Sequence, residues 1–352
     1  MTYNVTPQLP ANEFTVAELF AGGGLMAVGL RAAGYDLVWA NDFDKNAVKA
    51  YRHNLGGHIV QGDITAIDPA DIPDTDVIAG GPPCQDYSVA GTGAGEDGER
   101  GKLVWAYLRI IEAKKPKAFI FENVKGLITK KHRPTFDAFL ARFQEIGYRV
   151  SWQLINAWDY GVAQKRERVF IVGIREDLGF TFEFPEPRPE DYRTQVLRDV
   201  IGDLPEPIQE TSTETVLRHM FPNHEPKPLS NHVKERLDAG GYAIYLKKHP
   251  MGELDAPSPT VTAHLAKGAP DGLVNFPQPR RFTVRECLRI QSVPDWYVLP
   301  DEISLSAQYR IVGNGVASRV AYLLGIALAE QLRAATDSGR IGNGQSPGKE
   351  AV

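Results

Sequence analysis

Short apolar runs alternate with amphipathic segments between residues 14 and 174. Seven runs have the length and the apolar content of buried strands: FTVAELF, DLVWAND, HIVQGDI, DVIAGG, KAFIFEN, RVSWQLIN and RVFIVGI. Segments with helical spacing, such as LVWAYLRIIEAKK and RPTFDAFLARFQEIG, lie between several of them. This alternation predicts an α/β fold built on a doubly wound, mostly parallel sheet. Ligands of such sheets bind beyond the carboxyl ends of the strands.

The pattern of the chain changes near residue 185. The segments FPEPRPEDYR, LPEPIQETSTET and FPNHEPKPLSNH are rich in proline and polar residues, and helical spacing returns only at TVRECLRIQSVPD and from about 316 to 335. We predict an α/β domain over 1–184, a smaller loop-rich domain over 185–279, a segment over 280–335 that returns to the first domain, and a disordered tail over 336–352.

Composition narrows the class of protein. The net charge of −5 does not indicate nucleic-acid binding. It does not exclude such binding either, because contacts with phosphates depend on local patches of positive charge. With two cysteines in 352 residues there is no disulfide framework, so we expect a reducing, cytoplasmic setting. No secretory signal or membrane span of roughly 20 apolar residues is visible, and VAYLLGIALA is expected to be a buried helix. No metal site is predicted, because the histidines between 219 and 264 have no cysteines at ligand spacing.

The ends of the first three strands predict a site for an adenosine-containing cofactor. In LFAGGG, Gly22 and Gly24 suit a tight turn into a helix that leaves backbone N–H groups available. Asp42 follows about 20 residues later, where an acid can accept ribose hydroxyls, and Phe43 can stack on adenine. Asp63 can reach an exocyclic amine or act as a helix N-cap. These residues alone leave open a dinucleotide or S-adenosylmethionine.

The fourth strand and its neighbours predict nucleophilic chemistry. GGPPCQDYS places Cys84 on a stiff loop at the end of the DVIAGG strand, where a thiol can attack a ligand. Glu122, in FENV, ends the next strand, and AQKRERVFIVG brings Gln164, Arg166 and Arg168 to the start of another. The other cysteine, in a helical pattern, is expected to be buried and inert.

Six blocks together resemble the bacterial DNA cytosine-5 methyltransferases of restriction-modification systems. These are LFAGGG, GGPPCQDYS, FENV, QKRER, RRFTVRECLRIQSVPD and YRIVGNGVASRVA, within 14–174 and 280–334. The resemblance implies a Rossmann-like, S-adenosylmethionine-dependent enzyme that methylates carbon 5 of a flipped-out cytosine in a specific double-stranded DNA sequence, with S-adenosylhomocysteine as product. The stretch 185–279 falls where that family keeps its target-recognition domain.

The resemblance also implies a role for each matched residue. Cys84 would add to carbon 6 of the ring, Glu122 would hydrogen-bond or protonate ring nitrogen 3, and Arg168 would hold the ring carbonyl oxygen, with Arg166 in the same catalytic set. The implied cofactor positions are Phe20, Gly22, Gly24, Leu25, Asp42, Phe43, Asp63, Ile64, Pro82, Asn314 and Val316. The implied DNA contacts are Gln85, Ser88, Arg100, Gln164, Thr260 and Val261.

Two surface features are predicted to serve DNA binding. The glycine-rich segment 88–102 suits a mobile lid, with Arg100 placed to contact a phosphate on closing. Basic residues that cluster near the expected cleft are candidate phosphate contacts, which position DNA without specifying sequence: Lys125, Lys130, Lys131 and Arg133, the basic residues of QKRER, and Arg280 and Arg281.

The chain departs from the family pattern at three places. Asp42 stands where glutamate is more usual, so its reach to the ribose is shorter. Gly315 replaces a common serine, and the residues before Gln164 lack the usual proline. None of these departures removes a predicted catalytic group.

Three other functions agree less well with the sequence. A tRNA cytosine-5 methyltransferase shares the Pro-Pro-Cys and Glu-Asn-Val blocks, but the long 185–279 segment favours DNA. A non-catalytic DNA-binding protein would require a damaged site, and a nicotinamide dehydrogenase leaves the cysteine loop without a purpose. The expected partners are double-stranded DNA and a restriction endonuclease that acts separately. No association of the protein with a membrane is expected. A monomer associated with the nucleoid is expected, whereas the target sequence cannot be read from these residues.

Overall fold

The structure is a computed structural model of the chain. It describes residues 4–83, 101–207, 220–225, 235, 253–265, 273–275 and 279–342. Cys84, Gln85, Ser88 and Arg100 lie outside the described residues, as does almost all of the predicted lid.

Within the described residues, seven strands form one sheet in the order β3-β2-β1-β4-β5-β7-β6. The strands are β1 Thr15–Leu19, β2 Asp36–Asp42, β3 Ile59–Gln61, β4 Val77–Gly80, β5 Ala118–Val124, β6 Tyr148–Asn156 and β7 Glu167–Arg175. β1 to β5 pair in parallel, whereas β7 runs antiparallel to both β5 and β6. The seven predicted strands and the mostly parallel α/β sheet are therefore confirmed.

Helices cover both faces of this sheet. The helices are α1 Leu25–Ala32, α2 Lys45–Leu55, α3 Gly101–Lys114, α4 Arg133–Glu145, α5 Leu197–Ile201, α6 Val284–Ile290, α7 Leu305–Asn314 and α8 Ser318–Gly342. Alternate strand residues face opposite sides, and the central strands are apolar on both. One face packs against α1, α2 and α8, and the other packs against α3 and α4.

The strand order places a crevice at the centre of the sheet. β1 lies between β2 and β4, so the connections that leave its carboxyl end and that of β4 diverge to opposite sides. Because β7 is antiparallel, its first residues lie at the same edge as the last residues of β1, β2, β4 and β5. Residues from five strands can therefore meet at this edge.

A long apolar helical stretch near the end of the described residues belongs to the core. The stretch Leu305–Asp337 is long and apolar enough to cross a membrane, but 78% of its most apolar window is buried inside the protein. The prediction of a buried helix at VAYLLGIALA is confirmed. This part of α8 packs on α1, where Ser318 Oγ donates to the Leu25 carbonyl at 2.7 Å.

Gly29 lets α8 approach α1 closely. A Cβ at this position would lie 2.2 Å from the Ser318 carbonyl oxygen and 2.8 Å from the Tyr322 nitrogen, and both atoms belong to the backbone.

Helix propensity alone would make Gly29→Ala stabilising by about 1 kcal/mol. We expect the opposite sign, a loss of about 1–3 kcal/mol in the free energy of unfolding by urea, because α8 must shift. The control Gly57→Ala, with nothing within 4 Å, should stay within about 0.5 kcal/mol of wild type; a stabilised Gly29→Ala protein would contradict this packing.

Candidate active site

A cavity of about 840 Å³ opens at the carboxyl edge of the sheet. Its lining comes from the ends of β1, β2, β4 and β5, from the start of β7 and from the end of α7. This volume lies in the range of small-molecule sites, and its position at the divergence of β1 and β4 is where ligands of such sheets bind.

Ten of the eleven residues predicted to bind the cofactor line this cavity. They are Phe20, Gly22, Leu25, Asp42, Phe43, Asp63, Ile64, Pro82, Asn314 and Val316. Gly24 does not line it. Gly24 caps α1 with φ of 83°, and a Cβ there would lie 2.3 Å from Leu55 Cδ1. Gly24 therefore permits the turn and the close packing of α1 on α2. The prediction that it contacts the cofactor is not met.

Asp42 is fixed by the two loops that border it. The Gly22 N–H donates to its Oδ2 at 2.7 Å, and the Asp44 N–H donates to its Oδ1 at 2.8 Å. Burial raises the pKa of Asp42, and these backbone donors oppose the shift. A carboxylate oxygen accepts about two hydrogen bonds, so each oxygen keeps capacity for a ligand hydroxyl. The shorter side chain is thus held by the glycine turn that precedes α1.

Glu18 is a cavity residue that the sequence analysis missed. Its side chain is 2% exposed, it lines the cavity, and its Oε2 has no hydrogen-bond partner among the described residues. Burial raises its pKa well above the usual value, and the charge of Asp42 raises it further. The available signal was an acid inside an apolar strand, VAELF. An unpartnered buried carboxyl of this kind favours a ligand that brings a positive charge or a donor.

Glu122 and Arg168 meet at the other end of the cavity. Glu122 is near the end of β5 and Arg168 near the start of β7, and Arg168 Nε lies 3.0 Å from Glu122 Oε1. Burial raises the pKa of Glu122, whereas the charges of Arg168 and Arg166 lower it. Both residues line the cavity, so an acid and a cation face the same space.

The loop that leads to Cys84 is tied to these residues. Asn123 Nδ2 donates to the Pro82 carbonyl at 3.1 Å. A Cβ at Gly81 would lie 2.6 Å from Glu122 Oε2, so a larger residue here would require that carboxylate or the loop to shift. Pro82 and Pro83 both line the cavity, and Cys84 is the next residue in the chain.

Arg166 occupies a different place from Arg168. It is 2% exposed and is absent from the cavity lining. Its guanidinium donates to the carbonyls of Val261 at 2.9 Å, Gly313 at 3.1 Å and Gly315 at 2.8 Å. Burial lowers its pKa to about 9, so it is still charged at neutral pH. The predicted direct catalytic contact is not compatible with this burial, and Arg166 acts instead as a structural link.

Two residues predicted to contact DNA are also buried. Gln164 is fully buried, with Oε1 accepting from the Val261 N–H at 2.8 Å and Nε2 donating to Gln291 at 3.1 Å. Val261 is 2% exposed. A direct DNA contact by either side chain is not compatible with this burial. Thr260 is half-buried, and its hydroxyl donates to the Lys165 carbonyl at 2.8 Å.

The basic residues predicted to contact phosphates divide into two groups. Lys130, Lys131 and Arg133 are exposed, as is Lys125, which pairs with Glu167 at 2.9 Å. The prediction is wrong for Arg280 and Arg281, because both are buried and bonded within the protein. Arg280 contacts both carboxylate oxygens of Glu286, at 2.8 and 2.9 Å, and Arg281 donates to the Leu265 carbonyl at 2.6 Å.

Comparison with known proteins identifies the family. The family model described as C-5 cytosine-specific DNA methylase matches residues 14–330. The chain belongs to this family. The methylase therefore transfers a methyl group to carbon 5 of cytosine in DNA, a reaction for which this family uses S-adenosylmethionine as the donor.

Several relatives of this methylase match over most of its length. It is 37% identical over 322 residues to the Type II methyltransferase M.MthTI of Methanothermobacter thermautotrophicus, covering 87% of this chain and 94% of that protein. It is 35% identical over 346 residues to the Type II methyltransferase M.FnuDI of Fusobacterium nucleatum, covering 92% and 95%. These names favour DNA over tRNA as the substrate.

Solved structures share the fold of the methylase. The structure of S. pombe Dnmt2 aligns with a TM-score of 0.67 at 19% identity, covering 90% of this chain and 98% of that one. A Spodoptera frugiperda DNMT2 mutant aligns with a TM-score of 0.68 at 20% identity, covering 90% and 100%. At this identity the likeness shows the fold alone.

The contact between Gly81 and Glu122 generates a kinetic prediction. Gly81→Ala should lower kcat by about 10–100-fold, because the added methyl group displaces either the carboxylate or the loop before Cys84 by a fraction of an ångström to about 1 Å. The control is Gly126→Ala, where the nearest atom would lie at an ordinary 3.6 Å and kcat should stay near wild type. Equal kcat values for Gly81→Ala and wild type would show that this contact does not position Glu122.

Proposed function

We propose that the β1–β4 part of the cavity binds S-adenosylmethionine and that the β5–β7 part receives a flipped-out cytosine, which Cys84 attacks at carbon 6. The observation that supports this most strongly is the pairing of Glu122 with Arg168 beside Pro82 and Pro83. When bound, S-adenosylmethionine supplies the methyl group. All other roles below belong to residues of the chain.

The cofactor part of the cavity suits a ligand with positive charge. The orphaned Oε2 of Glu18 needs a cationic or donating group, and S-adenosylmethionine carries an ammonium and a sulfonium. The spare acceptor capacity of Asp42 suits ribose hydroxyls. Phe43, which is 76% exposed at the cavity, and Phe20 offer ring faces to adenine. A nicotinamide dinucleotide would bring an anionic pyrophosphate towards Glu18 and Asp42, which disfavours the dehydrogenase alternative.

Asp63 contributes less to this site than its position at a strand end suggested. It is exposed, and its Oδ1 accepts from the N–H and the hydroxyl of Thr65 at 2.9 and 2.8 Å. These contacts close a turn over residues 63–66 and no helix begins there, so the alternative expectation of a helix N-cap is not met. We propose that Oδ2 is the atom left to accept from the adenine amine.

The base part of the cavity suits covalent catalysis. The Cys84 thiolate forms a bond to carbon 6, and the ring's π electrons move towards nitrogen 3, which takes a proton from Glu122. Burial raises the pKa of Glu122, which favours the protonated form required for this step. Arg168 donates to the ring carbonyl oxygen and opposes the negative charge that develops there. Once carbon 5 carries the methyl group, nitrogen 3 returns its proton to Glu122 and carbon 5 gives its own proton to a base. The electrons of that C–H bond restore the double bond between carbons 5 and 6 as the Cys84 thiolate leaves. The target base must leave the duplex to reach the thiol.

We also propose how the methylase is organised and where it works. Residues 185–279 form the target-recognition domain, and 280–335 return to the catalytic domain formed by 1–184. Arg100, Gln85, Ser88 and Thr260 contact the DNA backbone or the target base. The enzyme acts in the cytoplasm as a monomer on the DNA of the nucleoid and does not associate with a membrane. A cognate restriction endonuclease acts separately.

Trapping with 5-fluorocytosine tests the covalent step. The target sequence is first read by bisulfite sequencing of DNA from an expressing host. A duplex with 5-fluorocytosine at the target position should then form a stable adduct in the presence of S-adenosylmethionine, because fluorine cannot leave as a proton. Cys84→Ala should form none, whereas Cys287→Ala, which removes the buried cysteine of α6, should still form it. Peptide mass spectrometry locates the adduct; its formation by Cys84→Ala would refute the role of this thiol.

The proposed proton donation by Glu122 predicts the pH dependence of turnover. Because its pKa is raised, the acid is protonated at low pH, and kcat should fall as pH rises through that pKa. Glu122→Gln cannot release a proton, so kcat should drop by about 10²–10⁴-fold and the alkaline fall should disappear. Initial rates between pH 5 and 9 measure this profile. The same alkaline fall in Glu122→Gln would assign it to another group.

A further inference from the structure

One residue of the predicted recognition region, Val261, is held at both of its backbone polar groups. The Val261 N–H donates to Gln164 Oε1 at 2.8 Å, and the Val261 carbonyl accepts from Arg166 Nη1 at 2.9 Å. All three residues are at most 2% exposed. A buried backbone group without a partner is costly, so these two side chains fix the position of Val261.

The same two side chains are anchored to the carboxyl end of α7. Gln164 Nε2 donates to Gln291 Oε1, and Gln291 Nε2 donates to the Val312 carbonyl at 3.0 Å. Arg166 Nη2 donates to the Gly313 and Gly315 carbonyls. A Cβ on Gly313 would lie 2.3 Å from the backbone of Thr262 and Ala263, so the segment after Val261 packs directly on α7.

The segment 258–261 is also bonded along the chain that leads into β7. The Ser258 N–H donates to the Ala163 carbonyl at 2.8 Å, and the Lys165 N–H donates to the Ser258 carbonyl at 2.9 Å. The Thr260 hydroxyl donates to the Lys165 carbonyl. Arg168 follows three residues after Lys165 and reaches Glu122. A shift of 258–261 would therefore be passed through 163–166 to the Glu122–Arg168 pair.

We propose that Gln164 and Arg166 are positioning residues that couple the recognition region to the catalytic pair. A duplex that seats segment 258–261 correctly holds Arg168 against Glu122, whereas a wrong sequence displaces the segment and the pair together. This inference rests on the proposed function, because it takes 258–261 as part of the DNA-recognition region. It assigns sequence discrimination in the catalytic step to two buried residues that do not touch DNA.

Gln164→Met tests this coupling, because the variant retains the volume of the side chain but leaves the Val261 N–H without its acceptor. The readout is the ratio of kcat/KM for the target duplex to that for a duplex with one changed base pair. We expect the ratio to fall by about 5–150-fold, the usual range of coupling between two sites. The Kd for S-adenosylmethionine, measured by calorimetry, should stay within about threefold of wild type, because Gln164 is outside the cavity.

Two further variants separate this role from general support of the fold. Gln291→Met breaks the anchor of Gln164 but leaves both groups of Val261 bonded, so the ratio should change much less. Gln164→Glu keeps an acceptor for the Val261 N–H and should retain most of the discrimination. If Gln164→Met does not fold, Arg166→Lys is tested instead, because a lysine keeps the charge but cannot reach all three carbonyls that Arg166 contacts. The same fall in the kcat/KM ratio is then expected.

The outcomes distinguish this inference from the proposed function. A wild-type enzyme that methylates no cytosine would overturn the proposed function. A wild-type enzyme that methylates its target while Gln164→Met keeps the wild-type ratio would overturn the coupling alone. Equal falls in Gln164→Met and Gln291→Met would also overturn it, because a loss of packing would then explain both.

Discussion

The contact between Arg168 and Glu122 organises the catalytic half of this methylase. A carboxyl as buried as Glu122 is costly to ionise unless a cation accompanies it, and removing one partner of such a pair typically costs about 3–5 kcal/mol. The cation is Arg168, and it reaches Glu122 because β7 runs antiparallel to the neighbouring strand. Because β7 is antiparallel to β5, its first residues lie beside the last residues of β5. This contact thus places an acid and a guanidinium in the cavity that Pro82 and Pro83 also line, next to Cys84 in the sequence.

The balance of charge in the cavity indicates its ligands. Five carboxyl groups line its wall, and burial raises the pKa of three of them, those of Glu18, Asp42 and Glu122. The other two belong to Asp44, which pairs with Arg310 at 2.7 Å, and to the exposed Asp63. Arg168 pairs with Glu122, and backbone N–H groups satisfy part of Asp42, but Glu18 Oε2 has no partner among the described residues. A cationic cofactor would complete this set, whereas an anionic one would oppose it. The unpartnered carboxyl oxygen thus agrees with the cationic methyl donor that this family uses.

Much of the fold could be predicted from the sequence, because the central strands are continuous apolar runs separated by helical spacing. The approach of Glu122 and Arg168 was implied only by the family resemblance, because the end of one strand and the start of another share an edge of the sheet only when the two strands are antiparallel. The position of β7 between β5 and β6 could not be predicted, because strand order depends on contacts distant in sequence. Glu18 was missed for the same reason: an acid in VAELF is visible, but the cavity beside it is not.

The roles of Gln164 and Arg166 show the same limit. Sequence places them next to Arg168, but only the long-range approach of Val261 and α7 shows that they face away from the cavity. Gly24 and Arg280 likewise have roles set by packing, against Leu55 and Glu286 respectively. A motif therefore located the site, and packing decided which of its members touch the ligands.

The most direct test of this account is a crystal structure of the protein with S-adenosylhomocysteine and a duplex that contains its target sequence. The account predicts that the target cytosine has left the helix and lies in the cavity, with ring nitrogen 3 against Glu122 and the ring carbonyl oxygen against Arg168, each within about 3.2 Å. A cytosine bound in the cavity while Glu122 and Arg168 both face away from it would contradict the account.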